Sequence, residues 1–152
     1  MNRNYRAVLA CLLVGACGDI QGDDSANMQP PAYAQMNRTQ RITFMSTVVL
    51  PQMTQTFSAF DPKYKNLSCV TCHGSGATDG TYAMPSPQVP PLPASEEAFL
   101  EYIKDPEHAR WAQFMMDKVW PQMADLLKVD KYDETHQSGF SCSNCHTHIA
   151  SP

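Results

Sequence analysis

The chain has 152 residues, room for one compact domain or two very small ones. It carries 11 Lys and Arg against 15 Asp and Glu, a net charge of −4. That balance argues against nucleic acid and against electrostatic attraction to anionic lipid, and permits a partner with a basic docking face.

The first residues read as an export signal. Arg3 and Arg6 precede an apolar run over residues 7–16, too short to span a bilayer as a stable helix. The run closes on Val14-Gly15-Ala16-Cys17, which resembles the lipobox of bacterial lipoproteins. On that resemblance residues 1–16 are a signal peptide and Cys17 is the lipidated new N-terminus. Gly18 stands where inner-membrane retention uses Asp, so outer-membrane anchoring on the periplasmic side is favoured. Cleavage removes two arginines and no acid, leaving a net charge of −6. Residues 17–38, polar and proline-containing, are expected to be the anchor and a flexible tether.

Two helices follow at matched positions. Residues 44–53 and 114–123 align at an offset of 70, and six of the ten positions are identical. Met45, Val49, Met53 and Phe57 recur every four residues in the first, as do Met115, Val119, Met123 and Leu127 in the second. Each set is one apolar stripe on a helix. Pro51 and Pro121 interrupt the stripes. Either each kinks a continuous helix, freeing the carbonyl of Thr47 or Asp117, or each opens a new one. The break would make Leu50 and Trp120 the N-caps, poor chemistry for that role, so the kink is favoured. The first helix is expected from about Thr39 to Phe60, stopping at Asp61-Pro62. The second should start with Asp105 as cap and Pro106 at its first position, and run to about Lys128. Between them, residues 74–94 read as loop, partly polyproline II. A short helix after Ser95 should turn Phe99, Leu100 and Ile103 inward. No stretch reads as a sustained strand. The expected fold is therefore all-α: two repeated helix–loop–CxxCH-helix cytochrome c units, over residues 39–94 and 95–152.

Six cysteines sit at 11, 17, 69, 72, 142 and 145, and the last four form two pairs of identical spacing. Cys69-Val-Thr-Cys72-His73 ends the first unit and Cys142-Ser-Asn-Cys145-His146 the second. Cys-x-x-Cys-His is the attachment signature of c-type haem. On a helical turn, positions i, i+3 and i+4 share a face. Cys69 and Cys72, and likewise Cys142 and Cys145, can then form thioethers with the vinyl groups of one haem each. His73 and His146 are the proximal iron ligands. Zinc ribbons place their cysteine pairs roughly 15–20 residues apart, whereas 70 positions separate Cys72 from Cys142. A thioredoxin-like pair needs a βαβ setting that is missing, and two plain disulfides leave the repeated histidine unexplained.

The sixth iron ligand must come from upstream in the second unit, because only His148 follows His146, too close to reach the opposite face. Met53 and Met123, 16 and 19 residues before their motifs, are the expected distal ligands, with Met45 and Met115 as packing residues and rivals. Methionine on an apolar face is usually core, but here one per unit should escape that role. Met84, followed by proline, is the chief rival at the first haem. His108 and His136 are outside candidates. Tyr64, Tyr82, Phe99, Trp111, Trp120 and Phe140 could line the haem faces or form the core of a small protein.

The order of methionine helix, loop and Cys-x-x-Cys-His resembles the tetrahaem cytochrome c subunit family of photosynthetic reaction centres. The resemblance covers roughly residues 39–73 and 106–146, and is specific in order and spacing rather than detailed sequence. It implies an all-helical unit, His/Met ligation and paired haems related by a local pseudo-twofold. With two units where that family has four, a role beside a reaction centre does not carry over. The expected function is electron transfer through two covalent haems c, with other periplasmic or membrane redox proteins as partners, a lipid anchor in the membrane and no small-molecule substrate. The alternative is a peroxidase-like enzyme or gas sensor with one open iron, disfavoured because no acid–base constellation accompanies either motif.

Overall fold

The computed structural model describes residues 31–150, which lie in one compact unit. The expected signal peptide, Cys17 and the first part of the expected tether lie outside the described residues. From Tyr33 onward the tether stretch folds onto the first helix. A 3₁₀ turn at Tyr33–Gln35 receives two hydrogen bonds from the Arg41 guanidinium, on the carbonyls of Tyr33 (3.2 Å) and Ala34 (3.0 Å). Met36 is buried behind it.

Helix α1 spans residues 38–60. Its start is set by a reciprocal cap: the Asn37 side chain accepts from the Gln40 amide (3.0 Å), and the Gln40 side chain accepts from the Asn37 amide (2.8 Å). Residues Met45–Val49 form a π turn within it, and Leu50–Phe60 continues as α-helix. Helix α5, residues 106–127, repeats the arrangement: Pro106–Phe114, a π turn at Met115–Val119, then Trp120–Leu127. Both prolines thus sit in continuous helices, as the kink reading expects, and the device that admits them is the widened turn. The Leu50 amide reaches back to the Met45 carbonyl and the Trp120 amide to that of Met115, each five residues away. Widening the ladder just before the proline relieves the clash of its ring with the preceding turn, where no amide is available to bond.

Asp105 caps α5 as expected, its carboxylate accepting from the amides of Glu107 (2.8 Å) and His108 (3.0 Å). The helix ends one residue short of the expected boundary, with Lys128 in the left-handed conformation (φ 56°). The described residues are mostly helical, compatible with an all-α fold, and the sheet is two strands of two residues. Strand β1 (Leu92–Pro93) pairs in parallel with β2 (His148–Ile149). The smaller helices are α2 (Cys69–His73), α3 (Gly76–Asp79), which lies inside the expected loop, and α4 (Glu96–Tyr102). On α4 the expected inward set is partly wrong: Leu100 is 54% exposed, while Phe99 and Ile103 are half-buried. Phe99 stacks on Tyr102 three residues along, so the buried face is centred on that pair and Leu100 is rotated off it.

The two long helices meet through aromatic rings. Phe57 and Phe60 of α1 pack on Phe114 at centroid distances of 5.1 and 4.0 Å, and Trp111 closes on Phe60 at 4.7 Å. Thr56 donates to the Gln122 side chain at 2.7 Å across the same contact. Around it the protein's own core is thin. Among the described residues the buried apolar side chains are Met36, Val49, Met53, Phe114, Ala124 and Leu127. Phe114→Ala should therefore cost about 3–5 kcal/mol in denaturant unfolding; a loss below 1 kcal/mol would mean the ring is not central.

The Arg110 guanidinium and the Trp111 indole both donate to Glu107, which lowers its pKa to about 2. A carboxyl whose folded value is depressed contributes stability above its unfolded pKa, and that contribution fades as pH falls toward 2. Glu107 is exposed, so the effect is small. Melting profiles of Glu107→Gln should be flatter than wild type between pH 4.5 and 2, and coincident profiles would contradict the pairing.

Candidate functional site: two Cys-x-x-Cys-His turns joined by one strap

Both motifs lie on single helical turns opened by a serine. In α2 the Ser68 amide donates to Thr71 Oγ1 at 3.2 Å, and the Thr71 amide returns to the Ser68 carbonyl at 3.0 Å. In the second motif the Ser141 amide donates to Asn144 Oδ1 at 2.7 Å, and the turn Cys142–Asn144 is 3₁₀. The His146 amide closes it onto the Cys142 carbonyl at 2.9 Å, four residues back. In α2 the two cysteines and His73 share one α-helical turn, whereas the second turn ends at Asn144, with Cys145 as its C-cap and His146 beyond it. The serines and their partners at the third position carry a sequence signal, Ser-Cys-x-[polar]-Cys-His, that motif matching on cysteine and histidine alone passes over.

None of the four cysteines is in a disulfide. Burial raises the pKa of Cys72 and Cys142, and pushes Cys145 up to about 11, with Cys72 and Cys142 adding to the last shift. A redox-active dithiol works the other way, through a stabilised thiolate. Among the described residues no three His, Cys, Asp or Glu side chains gather to hold a metal ion.

The mutual influence of Cys72 and Cys145 reflects the nearness of the two motifs, and the proline-rich segment lies between them. Gln88 Nε2 donates to Ser75 Oγ beside the first motif (3.3 Å), and the Ser86 amide donates to the Cys145 carbonyl in the second (3.3 Å). The Leu92 and Ala94 amides then bond the carbonyls of Thr147 (2.9 Å) and Ile149 (3.0 Å). Ser86 is fully buried in this strap.

The histidines differ. His146 Nδ1–H donates to the Pro90 carbonyl at 2.7 Å, which fixes the tautomer and leaves Nε2 to act as a ligand. His73 Nδ1 is buried and makes no hydrogen bond. Burial lowers the His73 pKa, opposed by the nearby Tyr82 backbone, and the Tyr82 ring meets the imidazole edge-on at 5.5 Å. For His73 the lowered value favours the neutral ring, the form in which an imidazole ligates a metal.

Of the expected distal ligands, Met53 is buried at 5% exposure and Met123 is half-buried. The rivals Met45, Met115 and Met84 are half-buried as well. The outside candidates are held locally. His108 stacks on Tyr102 at 3.9 Å and donates to its carbonyl, and His136 pairs with Asp133 at 2.6 Å. His148 donates to the Pro93 carbonyl (3.3 Å) and accepts from Ser143 (2.8 Å), tying the second turn to the strap.

Gly74, directly after His73, has φ +55°, and a Cβ there would sit 2.1 Å from Gln88 Oε1. Gly74→Ala should destabilise the protein by about 1–3 kcal/mol from the backbone alone, with more from the displaced strap. In thermal or denaturant unfolding, Gln88→Ala added to it should recover part of that loss; strict additivity would separate the two residues.

No helix among the described residues is long and apolar enough to cross a membrane. No protein-family model, no curated protein and no solved structure matches this chain.

Proposed function

We propose that the chain is an exported, lipid-anchored dihaem c-type cytochrome that passes electrons between redox partners. The observation that carries this reading is the pair of serine-opened Cys-x-x-Cys-His segments, each with two cysteines outside any disulfide and a histidine directly after them. Cys69 and Cys72 would hold one tetrapyrrole and Cys142 and Cys145 the other, with His73 and His146 as proximal ligands. The thin apolar core is further support, since two porphyrins would supply the buried surface that a body of this size otherwise lacks.

Met53 and Met123 are the proposed distal ligands. Haem iron supplies one-electron chemistry, and thioether ligation opposite histidine raises its potential. What the protein contributes is orientation of the imidazoles, exclusion of water by the aromatic contact between α1 and α5, and closure of the sixth position. The anchor at Cys17 would hold the carrier on the periplasmic side of a bacterial membrane, the outer one favoured, with other redox proteins as its partners.

Protein expressed in a host with working haem-attachment machinery should gain the mass of two tetrapyrroles and give a two-haem pyridine haemochrome spectrum. Met53→Ala and Met123→Ala should each turn one haem high-spin and lower its potential. A mature chain without added tetrapyrrole would end the proposal, and unchanged low-spin spectra in either variant would move the distal role to Met45, Met84 or Met115. A high-spin, carbon-monoxide-binding haem in the unaltered protein would favour the enzyme or sensor reading.

A further inference from the structure

Resting on the dihaem reading, we propose that the strap makes the two haems unequal, with the one on Cys142 and Cys145 the lower in potential. The Pro90 carbonyl is the positioning group. A hydrogen bond from Nδ1–H to a carbonyl draws the proton away from the ring and raises the basicity of Nε2 toward a metal. A more basic proximal ligand stabilises the oxidised, more highly charged iron. His146 has this bond at 2.7 Å, and His73 Nδ1, buried, has none.

The bond is built in rather than incidental. Pro90 is fixed on both sides. Upstream, the Ser86 amide is on the Cys145 carbonyl, and downstream, Leu92 and Ala94 pair with Thr147 and Ile149. Proline at 90 and 91 restricts the backbone between these anchors. His148, bridging Ser143 and Pro93, holds the second turn to the same segment. On the first motif the strap reaches Ser75 and crowds Gly74 through the Gln88 side chain, but offers no acceptor to His73. The segment that follows the first attachment site therefore tunes the second. With one electron on the pair, iron at His73 is the favoured holder. No proton moves in that exchange, because Nδ1 of His146 keeps its hydrogen in both oxidation states.

The test uses the full-length holoprotein, with both tetrapyrroles first verified by mass; their absence would refute the dihaem reading itself and is thus distinguishable. A redox titration followed by nuclear magnetic resonance, with haem methyl signals assigned through neighbouring side chains, gives each haem its own midpoint. The haem beside His146 should titrate lower, by an equilibrium factor of about tenfold, or about 59 mV for a one-electron couple. Its Nδ1–H should exchange with solvent more slowly than that of His73. Replacing Pro90 and Pro91 together by glycine should raise the lower midpoint and leave the other in place. Equal midpoints, a reversed order, or a lower midpoint unmoved in the glycine variant would overturn the proposal. If that variant fails to mature, the order of midpoints and the exchange rates in the unaltered protein still decide it.

Discussion

The amide and carbonyl groups of residues 86–94 hold together parts of the chain that are far apart in sequence. One end of this segment meets the turn that ends at His73, and the other runs beside the turn that ends at His146. The rest of the arrangement follows from that contact. The two cysteine pairs come near enough to influence each other's protonation, the second histidine is locked in one tautomer, and the last residues of the described chain are recruited into a short parallel pair. Prolines suit the task because an extended backbone of fixed φ spends its carbonyls on partners instead of on itself.

The aromatic contact between α1 and α5 is the second organising element, and it is built from neighbours of the repeated stripes rather than from the stripes alone. Phe114 and Trp111 precede the stripe of α5, and Phe60 follows that of α1. Arg110 lies over the Phe60 ring at 4.3 Å and is held by Glu107, so a charged side chain covers an apolar surface without burying its charge.

Much of this was legible in the chain. Asp105-Pro106 announces a helix start through a side-chain acceptor and a residue with no amide to lose. The alternation of methionine, valine and phenylalanine every four residues announces a buried stripe. The all-α character and the placement of both cysteine motifs on helical turns follow from the same reasoning. Other features left no comparable trace. The contacts of the strap run mainly through backbone carbonyls and amides, which every residue possesses, so composition marks residues 84–94 as loop and nothing more. Leu100 looks like a core residue by type, yet its place beside the Phe99–Tyr102 stack turns it to solvent. The folding of Tyr33 and Met36 onto α1 depends on Arg41, whose two bonds to carbonyls are equally invisible to hydropathy.

The π turns bear on helix phase. In an unbroken α-helix, positions eight apart are rotated by about 80° around the axis. A turn that accommodates one more residue winds that difference back, bringing Met45 toward the azimuth of Met53 and Met115 toward that of Met123. Each long helix therefore presents two thioethers along one side. A one-residue deletion inside either turn would leave the two methionines seven positions apart in a plain α-helix, about 20° from alignment, and so keep them on that side.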